Sequence, residues 1–578
     1  MKRWMKYVRP YKKYFIFGPL CMIVEVIGEV LMPKFLANII NDGVADKNVA
    51  YIIMLCLFMI VTALLMMAGG VGGAYFGAKA SVGFATDLRK DVYSKVQDFS
   101  FANIDTFSTG SLVTRLTNDI TQIQDFINML LRMCLRSPGM LIGALIMAIT
   151  LSPSLSVVFL VTMPILIVTM LLIISKGFPR FSKMQTKLDG LNSNVQENLT
   201  NVRVVKSFVR EDYEQEKFVA ANHDLRQATL SAMSVMIAMM PLMTLFMNLT
   251  TIAVLWFGGN QVVAGDILVG DLTAFITYIT QILMSLMMVV MMFMRSSRAM
   301  ASAKRVVAVL EEEPDIHDTY AKHKDAEITK GKIEFRHVDF RYYKTSQDMV
   351  LSDVSLTIEA GETVGIIGST GCGKSTLVSL IPRLYDVEGG AVFVDDIDVR
   401  DYSLEKLRDS IGMVLQKNVL FSGTIEENLR WGKQDASQEE LAKYADFAQA
   451  DLFIQNFKDG YQTELEQGGV NLSGGQKQRI CIARALLKQP KIIILDDSTS
   501  AVDTATEAKI RASFSTQLQH ATKIIIAQRV SSVRDADKII VMDEGKICGI
   551  GTHEELLTSN DAYREIYESQ HGRKEVQA

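Results

Sequence analysis

The residues whose types and spacing most clearly indicate a chemical function form a short run that fits the pattern G-x-x-x-x-G-K-[ST]. Its members are Gly368, Ser369, Thr370, Gly371, Cys372, Gly373, Lys374, Ser375 and Thr376. Glycines allow consecutive backbone N–H groups to surround phosphate oxygens at the start of a helix. In such a loop Lys374 would bridge the β- and γ-phosphates, and Ser375 would ligate Mg²⁺. The run therefore predicts a site for a nucleoside triphosphate and its metal ion.

A second chemical element is the apolar run 491–495, which is followed directly by Asp496 and Asp497. An apolar strand that ends in aspartate places a carboxylate beside the metal ion, normally through a water molecule. Asp496 is therefore expected to act together with Ser375 at the Mg²⁺ ion.

These two elements lie in a part of the chain where short β-rich runs alternate with helical segments. The runs are Val364–Ile367, Ile492–Leu495, Ile524–Ala527 and Ile539–Met542. Such alternation predicts an α/β domain with a mainly parallel sheet. The glycine-rich run follows the first of these strands and precedes an apolar helix, which is the structural context that the motif requires.

The sequence before residue 306 is of another kind, because four long stretches contain no Asp, Glu, Lys or Arg. They are 51–78, 137–175, 229–265 and 272–294. A helix needs about 20 apolar residues to cross a hydrocarbon core. The Ser-Pro-Ser sequence at 152–154 divides the second stretch into two spans, and 14–40 is also apolar enough to cross. The pattern predicts six transmembrane helices rather than buried helices of a soluble protein.

The mean hydropathy of the chain is consistent with one membrane-spanning half and one soluble half. The 578 residues have a net charge of −4 and a mean hydropathy of +0.19. This hydropathy is too high for an ordinary soluble enzyme and too low for a chain that lies wholly in a membrane. The net charge gives no reason to expect nucleic acid as a partner. Six cysteines without a CxxC pair favour neither a disulfide framework nor a zinc site.

We expect four segments along the chain: a transmembrane domain at 1–305, a linker at 306–330, a nucleotide-binding domain at 331–568 and a tail at 569–578. The expected spans are 14–40, 51–78, 137–151, 155–175, 232–257 and 270–294.

The distribution of positive charge predicts the orientation in the membrane. The N-terminal segment and the segment after the sixth span are rich in Lys and Arg, whereas the loops 41–50, 152–154 and 258–270 are nearly free of them. By the positive-inside rule, both termini and the nucleotide-binding domain face the cytoplasm from a multi-pass cell-membrane protein. The long polar loops 79–136 and 176–228 are then cytoplasmic, and we expect them to be helical extensions of the spans.

The sequence Leu472-Ser473-Gly474-Gly475-Gln476 resembles the signature of the ATP-binding cassette (ABC) transporter family. Other positions match the family's motifs: Gln416 resembles the Q-loop glutamine, Ser500 and Asp503 the D-loop, and Tyr342 the aromatic residue that stacks on adenine. The segments 108–119 and 206–213 resemble its intracellular loops. With six spans ahead of such a domain, essentially the whole chain resembles an ABC exporter half-transporter.

The resemblance implies a multidomain membrane protein. It would have a six-helix all-α transmembrane domain with long intracellular helices, and an α/β P-loop nucleotide-binding domain with an α-helical subdomain. Two such chains pair, and each ATP lies between the Walker A motif of one chain and the signature of the other. ATP and Mg²⁺ are the implied cofactors, with Ser375, Gln416 and Asp496 as the implied Mg²⁺ site. Short coupling helices are implied near Phe101–Thr106 and near Phe208–Tyr213.

Two positions depart from the family pattern. The family's Walker B motif ends in an aspartate, which corresponds to Asp496 here. The next residue in the family is a Glu that polarises the attacking water, but this chain has Asp497. One methylene less withdraws the carboxylate by roughly 1.5 Å. The family's switch His is here Gln528, which can donate a hydrogen bond but cannot shuttle a proton.

Both substitutions replace residues that act in ATP hydrolysis in the family, while the residues expected to bind ATP are kept. We therefore predict a degenerate site that binds ATP and hydrolyses it poorly. The intact signature would then serve a competent site on a second ABC chain, so a heterodimer is favoured over the alternative, a homodimer that tolerates both substitutions.

Two sets of side chains in the spans are candidates for contact with a transported molecule. Methionines are flexible and polarisable, and they suit varied apolar ligands, although ordinary packing is the alternative. The candidate methionines are Met239, Met243, Met288 and Met292. Glu25 and Glu29 share one face of the first span. A charge at mid-membrane costs roughly 2.5–3.5 kcal/mol, so the two could bind cationic drugs, be protonated, or pair with Arg or Lys of another helix.

The leading functional hypothesis is ATP-driven export of amphipathic or drug-like small molecules across the cell membrane by alternating access. A lipid, lipopeptide or peptide exporter is one alternative. A non-transporting, ATP-gated regulatory subunit is another, because Asp497 and Gln528 weaken catalysis.

Overall fold

The computed structural model describes residues 2–343, 348–498 and 502–571. The chain divides into two compact units. One combines Met1–Val96 with Gly110–Glu311, and the other combines Gln97–Thr109 with Glu312–Ala578. We name them the membrane unit and the cassette unit.

Residues 2–311 are helical apart from short connections. The helices are α1 Lys2–Val8, α2 Lys12–Asn38, α3 Val49–Gln97, α4 Phe101–Thr106, α5 Thr109–Thr114, α6 Ile120–Met133, α7 Arg136–Leu151, α8 Pro153–Thr200, α9 Val202–Ser207, α10 Glu211–Ala264 and α11 Val269–Glu311. Among the described residues, six helical segments are long and apolar enough to cross a membrane: Arg3–Val44, Val49–Gln97, Thr109–Leu151, Pro153–Thr200, Glu211–Ala264 and Val269–Val289. The prediction of six transmembrane helices is confirmed.

Small residues allow α2 and α3 to approach closely. A Cβ on Gly69 would lie 2.7 Å from the carbonyl oxygen of Cys21, and one on Gly73 would lie 2.6 Å from Cε of Met22. Small residues at this spacing are typical of close helix contacts in membranes. On another face of α2, Tyr278 of α11 is fully buried and its hydroxyl donates to the carbonyl of Val30 at 2.8 Å.

The short helix expected near Phe208–Tyr213 lies earlier, at Val202–Ser207. The chain leaves α8 at Asn201, which has φ −106° and ψ 20°, and α9 begins at once. The acidic residues Glu211, Asp212 and Glu214 occupy the first turn of α10, where carboxylates favour the positive end of the helix dipole. The motif therefore overlaps the start of a long helix. The short helix expected at Phe101–Thr106 is present there as α4.

In its described residues, the cassette unit contains two larger sheets and a two-stranded one. Its strands are β1 Ile333–Phe340, β2 Leu351–Ile358, β3 Thr363–Gly368, β4 Gly389–Val394, β5 Ile397–Asp398, β6 Ile411–Val414, β7 Gly423–Thr424, β8 Glu464–Leu465, β9 Ile492–Asp496, β10 Thr522–Ile526, β11 Lys538–Asp543 and β12 Lys546–Gly551. The six-stranded sheet has the order β12-β11-β3-β10-β9-β6, and all its pairs are parallel except β11–β12. The predicted parallel sheet is confirmed. The four-stranded antiparallel sheet β2-β1-β4-β5 was not predicted.

Nine helices complete the cassette unit within the described residues. They are α12 Lys374–Ser379, α13 Leu404–Asp409, α14 Ile425–Arg430, α15 Gln438–Phe447, α16 Asp451–Gln455, α17 Gly474–Leu487, α18 Thr504–Gln517, α19 His553–Ser559 and α20 Asp561–His571. One hydrophobic cluster fills the space between the two larger sheets, where Phe335, Ile366 and Ile494 are buried. A second cluster joins α14, α15 and α17 to the edge of the parallel sheet.

A candidate nucleotide-binding site

Four of the predicted site elements lie at one edge of the parallel sheet. In β3, β6, β9 and β10 the chain runs in one direction, so their carboxyl ends lie side by side. The glycine-rich loop follows β3, Gln416 follows β6, Asp496 ends β9, and Gln528 follows β10. Ligands of open α/β sheets bind at this edge, outside the carboxyl ends of the strands.

The glycine-rich loop turns the chain from β3 into α12. Gly371 and Gly373 have φ values of +85° and +95°, a backbone region that L side chains rarely adopt. The ammonium of Lys374 donates to the carbonyl oxygens of Gly368 at 2.9 Å and Ser369 at 2.7 Å. The loop therefore wraps around a positive charge, which suits it to phosphate.

The expected metal-binding pair is formed. The hydroxyl of Ser375 donates to Oδ1 of Asp496 at 3.0 Å. Burial raises the pKa of the Asp496 carboxyl, while the Ser375 hydrogen bond and the charge of Lys374 oppose that rise. Hydroxyl and carboxylate oxygens are donors that Mg²⁺ accepts, and the ion takes its remaining ligands from phosphates and water. The residues present therefore fit Mg²⁺ with a nucleotide.

Asp497 does not project freely from the end of β9. Its carboxylate accepts a hydrogen bond from Nε2 of Gln528 at 2.8 Å. Burial raises the pKa of this carboxyl, and the side-chain hydrogen bonds from Gln416 and Gln528 oppose the rise. The residue has φ +48°, in the left-handed region that Asp tolerates better than most residues. The two residues that depart from the expected pattern are thus hydrogen-bonded to each other.

The signature residues begin α17. Ser473 caps the helix, because its hydroxyl accepts from the backbone N–H of Gln476 at 3.3 Å, and its own N–H donates to the Gln476 side chain at 2.9 Å. Gly474 and Gly475 form the first turn, and Leu472 is buried beneath it. Within the described part of the chain these five residues form no hydrogen bond with the glycine-rich loop.

Sequence reasoning missed Gln478, which lies on α17 and is 1% exposed. Its Nε2 donates to the backbone carbonyl of Asp497 at 3.3 Å, and so joins the signature helix to the residue after β9. The available signal was a polar residue on the apolar face of α17.

Of the two predicted D-loop residues, Asp503 lies within the described residues. Asp503 caps α18 and accepts from the backbone N–H of Thr506 at 2.9 Å. That backbone hydrogen bond lowers the pKa of the Asp503 carboxyl. Ser500 lies outside the described residues.

Comparisons with known proteins match both halves of the chain. Residues 15–286 match the family described as ABC transporter transmembrane region, and residues 351–500 match the family described as ABC transporter. The uncharacterized ABC transporter ATP-binding protein YfiB of Bacillus subtilis is 40% identical over 574 residues, which cover 99% of each chain. This chain belongs to the ABC transporter family. The ABC transporter is also 32% identical over 574 residues, 98% of each chain, to YgaD of Bacillus subtilis, whose name proposes it as a multidrug export ATP-binding/permease protein.

A solved structure shares the fold of this ABC transporter. The structure of a bacterial Atm1-family ABC exporter with ATP bound aligns with a TM-score of 0.80 and 24% identity, covering 97% of this chain and 99% of that chain. The transporter therefore shares the fold of that protein, with six membrane-spanning helices followed by an α/β nucleotide-binding domain.

The adenine-stacking candidate of the transporter, Tyr342, lies beside α12. Its hydroxyl shares a hydrogen bond with Oγ1 of Thr376 at 2.8 Å, and 40% of the residue remains exposed. Its ring packs edge-on against Phe340 at 5.0 Å and Tyr385 at 5.1 Å between centroids. Tyr385 has no motif of its own, so sequence reasoning could not identify it.

In the membrane unit, the two glutamates form an ion-pair cluster. Nη2 of Arg136 lies 3.2 Å from Oε1 of Glu25 and 3.1 Å from Oε2 of Glu29. Gln281 of α11 donates to the backbone carbonyl of Glu29 at 3.0 Å. Of the alternatives for these carboxylates, the structure favours pairing with an arginine of another helix.

The four candidate methionines do not share one environment. Met243 packs against the core between α2, α7 and α11, and Met239 and Met292 are half-buried. Met288 is 40% exposed. Ordinary packing accounts for Met243.

Replacing Lys374 with Met should weaken ATP binding at this loop about 10- to 100-fold, because a hydrogen bond to a charged group contributes about 1.5–3 kcal/mol. Equilibrium titration of the purified chain with a fluorescent ATP analogue and Mg²⁺ measures the effect. Lys538→Met is the matched control, since the Lys538 ammonium bonds to Glu362 and not to the loop. Equal affinities in the two variants would contradict the assigned role of Lys374.

Proposed function

We propose that this ABC transporter is an ATP-driven exporter that carries amphipathic, drug-like molecules out of the cell. We further propose that the chain is the subunit of a heterodimer whose own Walker A site binds ATP but hydrolyses it slowly. The observation that supports the slow site is the bond between Asp497 and Gln528 at 2.8 Å.

Hydrolysis requires a carboxylate that reaches the attacking water. The Asp497 side chain is one methylene shorter than glutamate, and its carboxylate is engaged by the amides of Gln528 and Gln416. A displacement of about 1 Å in a catalytic group can cost on the order of 100-fold in rate. In contrast, Lys374, Ser375 and Asp496 are arranged for nucleotide and Mg²⁺.

The signature residues support the proposal that this chain contacts ATP bound by a second chain. Ser473 caps α17 with both partners of a capping box, so the first turn of the helix is well ordered for anion binding. Such a turn is useful only if it meets a phosphate held by another Walker A loop. A partner with the catalytic Glu and switch His would make use of it.

The proposed substrate class rests on the membrane unit. Among the described residues, Glu25 and Glu29 share one ion-pair partner, the guanidinium of Arg136, which leaves one excess negative charge in this cluster when both carboxylates are ionised. An excess negative charge in a low-dielectric setting favours cations. The exposed thioether of Met288 suits varied apolar groups. Amphipathic cations satisfy both features, and the name of the relative YgaD points to the same class.

Reconstitution tests this proposal. Inside-out vesicles that contain the chain and a second ABC half-transporter with the catalytic Glu and switch His should accumulate cationic amphipathic dyes in the presence of ATP, whereas vesicles with either chain alone should accumulate several-fold less. The measurement is dye uptake from the outside, with ADP in place of ATP as the control. Equal uptake by the chain alone would contradict the heterodimer, and uptake of lipid or peptide but of no dye would contradict the substrate class.

A further inference from the structure

The short helix α4 is part of the cassette unit, although it lies between two membrane-spanning segments of the sequence. Asn103 is 2% exposed, and its Nδ2 donates to Oε1 of Glu312 at 2.9 Å and to the carbonyl of Glu313 at 3.3 Å. Its Oδ1 accepts from the N–H of Ser100 at 3.1 Å, which completes a capping box. The helix is therefore held firmly where the chain enters the cassette.

A second set of contacts joins α4 to a tyrosine. The hydroxyl of Tyr385 donates to Oδ2 of Asp105 at 3.0 Å, and the ring of Phe101 packs on the Tyr385 ring at 6.0 Å between centroids. Burial raises the pKa of the Tyr385 hydroxyl well above its usual range, and the hydrogen bond to Asp105 raises it further. The hydroxyl thus remains a donor to Asp105 at all physiological pH values.

The same tyrosine touches the adenine-stacking candidate. Tyr385 and Tyr342 meet edge to face at 5.1 Å with an interplanar angle of 86°, and Phe340 packs against both rings. Edge-to-face aromatic pairs prefer a narrow range of geometries, so a shift of one ring changes the preferred position of the next. Because 40% of Tyr342 is accessible, part of its surface remains open to a base.

We propose that Tyr385 is a positioning residue that reports adenine binding at Tyr342 to the α4 helix through its hydrogen bond with Asp105. The proposal rests on the nucleotide role proposed for Tyr342. A base stacked on Tyr342 fixes that ring, the Tyr342 ring fixes Tyr385, and the Tyr385 hydroxyl holds Asp105. Through this path a site that hydrolyses ATP slowly still acts on the membrane unit, because α4 is continuous in sequence with α3 and α5.

Hydrogen–deuterium exchange on the full-length protein in lipid nanodiscs tests this path. The probes are Mg·ADP, which carries the base but no γ-phosphate, and Mg·pyrophosphate, which carries no base. ADP should slow exchange in residues 97–109 about 5-fold, within the usual range of coupling between sites, and saturating pyrophosphate should leave it unchanged. Both ligands should protect residues 368–376, which reports binding at the loop.

Two single substitutions interrupt the path from either side. Tyr385→Phe keeps the rings but removes the donor, and Asp105→Ala removes the acceptor from an exposed position. Both should lose most of the ADP-induced protection at 97–109 and keep the protection at 368–376. Tyr320→Phe, at a residue that is 83% exposed, is the matched control and should behave as the wild type.

The outcomes separate this inference from the proposed function. Protection of 97–109 by pyrophosphate, or full ADP-induced protection in Tyr385→Phe and Asp105→Ala, would overturn the role of Tyr385 while the nucleotide site stands. Absence of protection at 368–376 with ADP in the wild type would overturn the nucleotide site, and the path with it.

Discussion

The double substitution Asp497→Glu with Gln528→His should raise ATP hydrolysis by the purified chain about 100-fold, the gain expected when a catalytic carboxylate moves by about 1 Å into position. The chain carries the other elements of a site: the Walker A loop, the Ser375–Asp496 pair and an intact signature. Two copies of the double variant would therefore contain two complete sites. The measurement is phosphate release at saturating Mg·ATP.

Each single substitution should gain much less than the pair. In Asp497→Glu the longer side chain meets Gln528, whose Nε2 now lies 2.8 Å from Oδ2 of Asp497. In Gln528→His the carboxylate remains too short. Asp497 also occupies a left-handed backbone position at φ +48°, where Glu is less favourable than Asp. Asp497→Glu should therefore also lower the free energy of unfolding.

Two further variants test whether the regained hydrolysis takes place at this chain's own nucleotide site. Adding Lys374→Met to the double variant should return hydrolysis to background, because it removes the ammonium that meets the phosphates. Asp497→Asn, which has the shape of Asp without its charge, should stay at background. High ATPase activity in the wild-type chain alone would contradict the degenerate site, and background activity in the double variant would show that the two side chains do not limit this site.

The sequence predicted those parts of the molecule that depend on local patterns. Charge-free stretches predicted five of the six spans, and the apolar character of 14–40 predicted the first one. Short β-rich runs predicted the parallel strands β3, β9, β10 and β11. The sequence also predicted that Ser375 and Asp496 act together, and the structure brings the two side chains within 3.0 Å because parallel strands bring their carboxyl ends together.

Contacts between distant segments were not predicted, because no periodicity reports them. Tyr385 meets Asp105 across 280 positions of sequence, and Arg136 meets Glu29 across 107. The antiparallel sheet was missed because β1 and β4 pair only through the fold. The second short helix was misplaced because the motif at 206–213 runs into the first turn of α10.

The glutamates of α2 illustrate how a contact changes a functional hypothesis. From the sequence, Glu25 and Glu29 were two carboxylates without a known partner. In the structure they share Arg136, and their side chains are 18% and 31% exposed. Their first role is therefore to compensate a guanidinium between helices, and any role toward a cation depends on the single charge that remains.

Arg136→Gln should destabilise the membrane unit by about 3 kcal/mol, because breaking a buried ion pair from one side costs about 3–5 kcal/mol and this cluster is partly exposed. The substitution leaves Glu25 and Glu29 side by side without their counter-charge. The thermal unfolding midpoint in detergent and the yield of monodisperse protein should both fall. Arg132→Gln, which removes the same charge from a more exposed position earlier in the same span, is the matched control and should change neither quantity appreciably.

Removing all three charges distinguishes the structural role of the cluster from a role in transport. The triple variant Glu25→Gln, Glu29→Gln, Arg136→Gln should recover most of the lost stability, since neutral amides avoid the cost of an uncompensated charge. Because it lacks the excess negative charge, it should export cationic dyes at least several-fold more slowly while export of neutral dyes is retained. A stable Arg136→Gln variant would contradict the ion-pair cluster. Recovery of stability together with full export of cationic dyes would mean that the glutamates serve helix packing alone, and that the preference for cations must arise elsewhere in the membrane unit.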